Sequence, residues 1–105
     1  MGPGTPFFAA PEQLNNEKTL IDWRTDQFAL GVTLALAYFG FHPYQADGEG
    51  PSESVAHVAA RTSPSKKFLD AVAAAKLPAI ARMVSAWPVE RFRTPAILLE
   101  GWRKQ

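Results

Sequence analysis

Residues 22–40 read DWRTDQFALGVTLALAYFG, and the placement of apolar residues in this run decides the fold. Phe28, Leu30, Val32, Leu34, Leu36, Tyr38 and Phe39 spread around the helical repeat and keep to no single face. A helix apolar on nearly every side has to be enclosed by other protein. Thr25 is the expected N-cap and Asp26–Phe39 the helix body, with Asp26 in the first turn at the positive end of the dipole. Gly31, mid-helix, costs about 1 kcal/mol relative to Ala, which predicts a neighbour in close approach. Gly40 and Pro43 end the helix. Aromatics at helical spacing mean burial, so Phe28, Leu34, Tyr38 and Phe39 are expected in the core, not around a ligand.

Shorter elements flank this rod. Pro11 opens a turn through Leu14, and Asn15-Asn16-Glu17-Lys18 is a polar turn. A Gly-, Pro- and acid-rich loop covers 45–54, followed by a helix over Glu53–Arg61. Ser65 caps a helix over Lys66–Lys76, and Pro78 opens another that runs to about Trp87. Thr94 caps the last, from Pro95 to about Arg103. Trp87 and Trp102 are expected as core anchors. No run alternates as a strand does, and no repeat is visible. The expectation is an all-α chain, one long buried helix surrounded by four or five shorter ones.

The totals exclude several function classes. At 105 residues, 47% hydrophobic and 20% charged, the chain reads as one small globular domain. A net charge of +1 gives no general pull toward nucleic acid or anionic membrane. Lys66-Lys67, Arg91-x-Arg93 and Arg103-Lys104 form no acid-free stripe, so a nucleic-acid interface is not expected. The absence of cysteine rules out a disulfide framework, a thiolate zinc site and a cysteine nucleophile. His42 and His57 lack metal-ligand spacing. The apolar run Phe28–Phe41 is shorter than the roughly 18–20 residues of a membrane span. No basic-then-apolar leader is visible, so the cytoplasm is the default location.

Four ordered motifs carry a resemblance. Gly4-Thr5-Pro6-Phe7-Phe8-Ala9-Ala10-Pro11-Glu12 resembles the end of the activation segment of eukaryotic-type protein kinases, Gly-Thr-Pro-x-Tyr/Phe-x-Ala-Pro-Glu. Asp22-Trp23-Arg24-Thr25-Asp26-Gln27-Phe28-Ala29-Leu30-Gly31-Val32 is similar to the stretch that opens the large central helix of the kinase C-lobe. Phe41-His42-Pro43-Tyr44 is similar to the Pro-aromatic turn that ends it. Trp87-Pro88-Val89-Glu90-Arg91-Phe92-Arg93-Thr94 resembles the family's late aspartate-Pro-x-x-Arg-Pro segment. The wording is nearest to bacterial serine/threonine kinases.

The resemblance implies a partial kinase C-lobe. Residues 1–14 would end the activation segment, 25–40 form the central helix, and 52–104 supply the later helices. Glu12 and Arg91 would form a buried ion pair; without the resemblance they are two charges far apart in sequence. Asp26 would reach backbone amides of the catalytic loop, or be only a helix-start aspartate. Gly4, Thr5, Pro6 and Phe8 would wall the site of the protein substrate, or form a loose N-terminal tail. ATP and magnesium are implied for the complete family but not for this chain. It has no G-x-G-x-x-G loop, strand lysine, His-Arg-Asp or Asp-Phe-Gly, so alone it is expected to be inactive.

The expected function is the scaffold and substrate-side surface of a kinase that moves the ATP γ-phosphoryl group to protein Ser or Thr. Its partners would be the protein substrate or the missing kinase portion. Self-association is the other expectation, because elements that cover the central helix in a whole kinase are absent. The alternative function is a non-catalytic, kinase-derived helical interaction module.

Overall fold

The computed structural model describes residues 6–105. Among them are helices α1 (Pro11–Leu14), α2 (Trp23–Phe39), α3 (Pro51–Ala59), α4 (Lys66–Ala75), α5 (Pro78–Met83) and α6 (Pro95–Lys104). Single 3-10 turns lie at Pro6–Phe8, Lys18–Leu20 and Pro88–Glu90, and no strand occurs among the described residues. No described helix is long and apolar enough to cross a membrane.

The long helix starts earlier than expected. Its N-cap is Asp22, whose Oδ1 accepts from the Arg24 N–H at 2.8 Å. Thr25 sits inside the first turn, and its hydroxyl accepts from the Asp22 N–H at 3.2 Å. Two residues share the capping work, so Trp23 and Arg24 join the helix. Gly40 closes it in the left-handed conformation, φ 83°, which glycine adopts without strain.

Phe28, Val32 and Ala35 of α2 meet Tyr44, Val58 of α3, Phe68 and Val72 of α4, Ile80 of α5 and Val84 in the main core. A second cluster joins Ala79, Met83 and Phe92, with Trp23, Leu34 and Trp102 against it. The α2–α5 crossing explains Gly31. A Cβ there would stand 2.6 Å from Val84 Cγ1 and 3.0 Å from Met83 Cβ, so only glycine lets the two backbones approach this closely.

Enclosure of α2 is incomplete. Asp26, Leu30, Thr33 and Ala37 form an exposed stripe along it, and Tyr38 is 55% exposed, against the expectation of core burial. Tyr38 packs only sideways, against Phe39 and Trp102.

The α3 helix starts at Pro51, two residues before expectation, because the Gly50 N–H donates to Glu53 Oε2 at 2.7 Å. Ser65 caps α4 as expected, accepting from the Phe68 N–H at 3.3 Å, but α4 ends at Ala75. Lys76 turns left-handed, φ 58°.

The α5 helix stops at Met83, four residues short of Trp87. Beyond it, three consecutive carbonyls accept from side chains and not from a further helical turn. Tyr44 Oη donates to Val84 O at 2.7 Å, Arg91 Nε to Ser85 O at 2.9 Å and Arg61 Nε to Ala86 O at 3.4 Å. These bonds satisfy main-chain carbonyls that no helical N–H reaches. Trp87, expected in the core, is 47% exposed and lies under the Arg61 guanidinium, 3.8 Å from the ring centroid. Trp102 is half-buried against both clusters.

Candidate functional site

The centre of the molecule's polar organisation is Arg91, fully buried beside Glu12. Glu12 lies in α1, where Pro11 fixes the first helical position and Gln13 Oε1 accepts from the Ala10 N–H at 2.9 Å. Arg91 follows the 3-10 turn Pro88–Glu90. The two meet through parallel bonds, Nη1 to Oε2 at 2.7 Å and Nη2 to Oε1 at 3.1 Å. This is the fork that suits a guanidinium and a carboxylate.

Both ions are satisfied on their remaining sides. Thr25 Oγ1 donates to Glu12 Oε2 at 2.9 Å. Arg91 Nη1 also donates to the Arg24 carbonyl at 3.0 Å, and its Nε to Ser85. The Arg91 guanidinium lies 5.0 Å from the Phe28 ring centroid. No buried side-chain nitrogen or oxygen lacks a partner among the described residues. Burial pushes the Glu12 carboxyl up, but Arg91, the main chain and Thr25 outweigh it and hold it below the ordinary carboxylate range. α1, α2, the α5 terminus and the turn before α6 therefore converge on one ion pair.

A second tie holds the same segment. Gln27 is buried in α2, and its amide pairs with the main chain of Phe92 in both directions. Trp23 Nε1 donates to the Arg93 carbonyl at 2.8 Å. Residues 91–93 are thus fastened to the first turns of α2 by Arg91, Gln27 and Trp23. Nothing in the sequence marked Gln27 for this role; its only sign was a polar side chain on the buried face of an apolar helix.

At the front of the chain, Pro6–Phe8 forms a turn tied to the body. The Phe7 ring packs edge-on against His42 at 4.9 Å, and His42 Nε2 donates to the Phe7 carbonyl at 3.1 Å. His42 Nδ1 accepts from the Tyr44 N–H at 3.0 Å, which fixes the tautomer. A loose tail is not what these residues form, because the Phe7 carbonyl is caught by a buried imidazole. Burial pushes His42 down to about 4.

Of the candidate residues, Glu12 and Arg91 are brought together. Pro6 and Phe8 lie on the surface at one end of the chain, and Gly4 and Thr5 fall outside the described residues. Asp26 is exposed in the first turn of α2 with no ion-pair or hydrogen-bond partner among the described residues. No described group of three or more His, Asp or Glu is placed to hold a metal. Neither a scan of protein-family models nor a search of curated proteins finds a match to this chain.

Proposed function

We propose that this chain is the C-lobe portion of a serine/threonine protein kinase, beginning at the end of the activation segment. The observation that carries this reading is the buried Glu12–Arg91 pair. The acid of Ala10-Pro11-Glu12 and the guanidinium of Trp87-Pro88-Val89-Glu90-Arg91 are the two groups that the motif resemblance couples, and they are 79 positions apart. A chance pair of charges at that separation has no reason to be desolvated and bidentate. The order of the four motifs and the single long helix α2 support the same reading.

In this role the chain scaffolds. The Glu12–Arg91 pair fixes the Pro6–Glu12 segment relative to α2, so that Pro6 and Phe8 present one wall to a protein substrate. The reaction is transfer of the ATP γ-phosphoryl group to a Ser or Thr hydroxyl. The base aspartate, the strand lysine and the metal-binding aspartate belong to sequence other than residues 1–105. ATP and magnesium are therefore assigned to a complete domain and not to residues of this chain.

The reading is tested at the upstream reading frame. His-Arg-Asp and Asp-Phe-Gly in frame are expected there, and the extended protein should phosphorylate a Ser/Thr peptide with ATP and magnesium while residues 1–105 do not. A stop codon and a ribosome-binding site immediately upstream would instead favour the non-catalytic interaction module.

A further inference from the structure

A solvent-open cleft of about 610 Å³ lies between the start of α2 and the segment that follows α5. Asp22, Trp23, Arg24, Arg82, Val89, Arg91 and Arg93 line it. Its charges divide into two groups. Arg24 is paired with Asp22 at 2.9 Å, and Arg91 with Glu12. Arg82 and Arg93 have no carboxylate within salt-bridge distance among the described residues, so the cleft carries two uncompensated guanidiniums.

Arg82 is held from behind with its outer donors open, and Arg93 is held through its main chain alone. Arg82 Nε donates to the Glu90 carbonyl at 3.3 Å, and the guanidinium lies 4.4 Å from the Phe92 ring centroid. Its terminal nitrogens have no hydrogen-bond partner among the described residues. The backbone of Arg93 is pinned by Trp23, while its side chain makes no bond among the described residues. Two guanidiniums without a carboxylate partner, lining one cleft, suit a phosphate dianion, whose oxygens accept several charge-assisted bonds at once. The neighbouring carboxylate Asp22 is held below its ordinary range, chiefly by its hydrogen bond with Arg24, and so stays engaged with Arg24.

We propose that this cleft binds a phosphate monoester, presented by a phosphorylated side chain of a partner protein, through Arg82 and Arg93. A polyanion is the poorer fit. Beyond the cleft the basic residues form no continuous stripe, and the net charge of the whole chain is +1. The inference requires nothing of the kinase reading, since none of the residues it uses enters that argument as a ligand-binding group.

The test is an NMR titration of the full chain, following the Trp23 indole N–H and the amides of 91–94. The probes are a short neutral peptide bearing one phosphoserine, the same peptide unphosphorylated or carrying Glu at that position, inorganic phosphate, and a single-stranded oligonucleotide. The phosphopeptide should shift the Trp23 and Arg93 signals saturably. R82Q and R93Q should each weaken it by about tenfold, with unchanged melting temperature. Binding of the phosphopeptide well above inorganic phosphate identifies a protein-borne ligand; equal binding supports the phosphate site and assigns it to free phosphate. The proposal fails if the Glu peptide binds as well as the phosphopeptide, if the oligonucleotide binds tighter than either, if no probe shifts these signals, or if folded R82Q/R93Q retains wild-type affinity.

Discussion

Gln27 and Phe92 close a hydrogen-bonded ring across 65 residues: Gln27 Nε2 donates to the Phe92 carbonyl at 2.9 Å, and the Phe92 N–H donates to Gln27 Oε1 at 3.0 Å. A carboxamide is the one side chain that meets both halves of an extended residue's main chain, with donor and acceptor side by side. Gln27→Ala would leave two buried main-chain groups unpaired, and each such group costs about 1–3 kcal/mol. Gln27→Glu keeps the acceptor but buries a carboxylate against the Phe92 carbonyl, so at neutral pH it should lower the denaturant midpoint at least as far as Gln27→Ala. Amide exchange at Phe92 is expected to speed in Gln27→Ala more than at core amides of α4; uniform loss of protection would contradict a local clasp.

Removal of Arg91 strands a buried carboxylate. Arg91→Ala is expected to cost about 3–5 kcal/mol, while Arg103→Ala, on an exposed helix face, should move the melting temperature little. Arg91→Lys should recover only part of the loss, because an ammonium cannot serve both Glu12 oxygens, the Arg24 carbonyl and the Ser85 carbonyl in one plane. Equal small shifts in thermal melts of the Arg91 and Arg103 variants would show that the pair contributes no stability.

Gly31→Ala sets two effects against each other. Helix propensity favours alanine by about 1 kcal/mol, but the new methyl group would meet Val84 Cγ1 at 2.6 Å. Overpacking of this kind costs about 1–3 kcal/mol, so a net loss of stability is expected. The double variant Gly31→Ala, Val84→Ala should recover part of the loss beyond additivity. A Gly31→Ala protein more stable than wild type would mean that α2 and the α5 end separate easily.

Acid should weaken the fold in two stages. His42 is neutral in the native state and is pushed down to about 4 from 6.5. Below about pH 6.5 the unfolded chain takes up a proton that the native state refuses until about pH 4. Stability is thus complete above that window and falls through it, by up to roughly 3 kcal/mol at the acid end. Glu12 acts in the range beneath its ordinary value of 4.5, because its depressed carboxyl adds stability that goes as pH falls through its native pKa. Urea titrations at several pH values check the first stage. His42→Asn, which keeps an acceptor for the Tyr44 N–H, should flatten the dependence between pH 6.5 and 4.5.

The parts of the fold legible in the sequence are those set by nearby residues. Ser65 and Thr94 cap their helices, and Pro95 opens α6, because a cap and its first turn are adjacent in the chain. Gly31 signalled a close approach through its helix cost alone, though not which residue approaches. The start of α2 was misplaced because Asp22 and Thr25 are both good caps and the choice rests on how they bond each other. The end of α5 was misplaced for a different reason. The chain leaves the helix at Met83, ahead of the Trp87-Pro88 break that marks an end in the sequence, and the carbonyls of residues 84–86 pair with the side chains of Tyr44, Arg91 and Arg61.

The site divides the same way. Glu12 and Arg91 were legible only through motif resemblance, since no periodicity links positions 79 apart. Local sequence marks Thr25 as a helix cap, whereas its bond to Glu12 depends on the fold. Gln27, Trp23 and His42 owe their roles to whichever main-chain group folding sets against them. Trp87, expected as a core anchor, lies half exposed with the Arg61 guanidinium stacked on its ring, a neighbour 26 positions away that the local sequence does not indicate.

The Glu12–Arg91 bridge also bears on the order of folding events. Joining residue 12 to residue 91 closes most of the polypeptide into a loop, whereas each helix forms from contacts a few positions apart. Such a bond is expected to be absent from the transition state and to act afterwards as a latch on the finished molecule. Stopped-flow kinetics should then show Arg91→Ala unfolding much faster while refolding at nearly the wild-type rate.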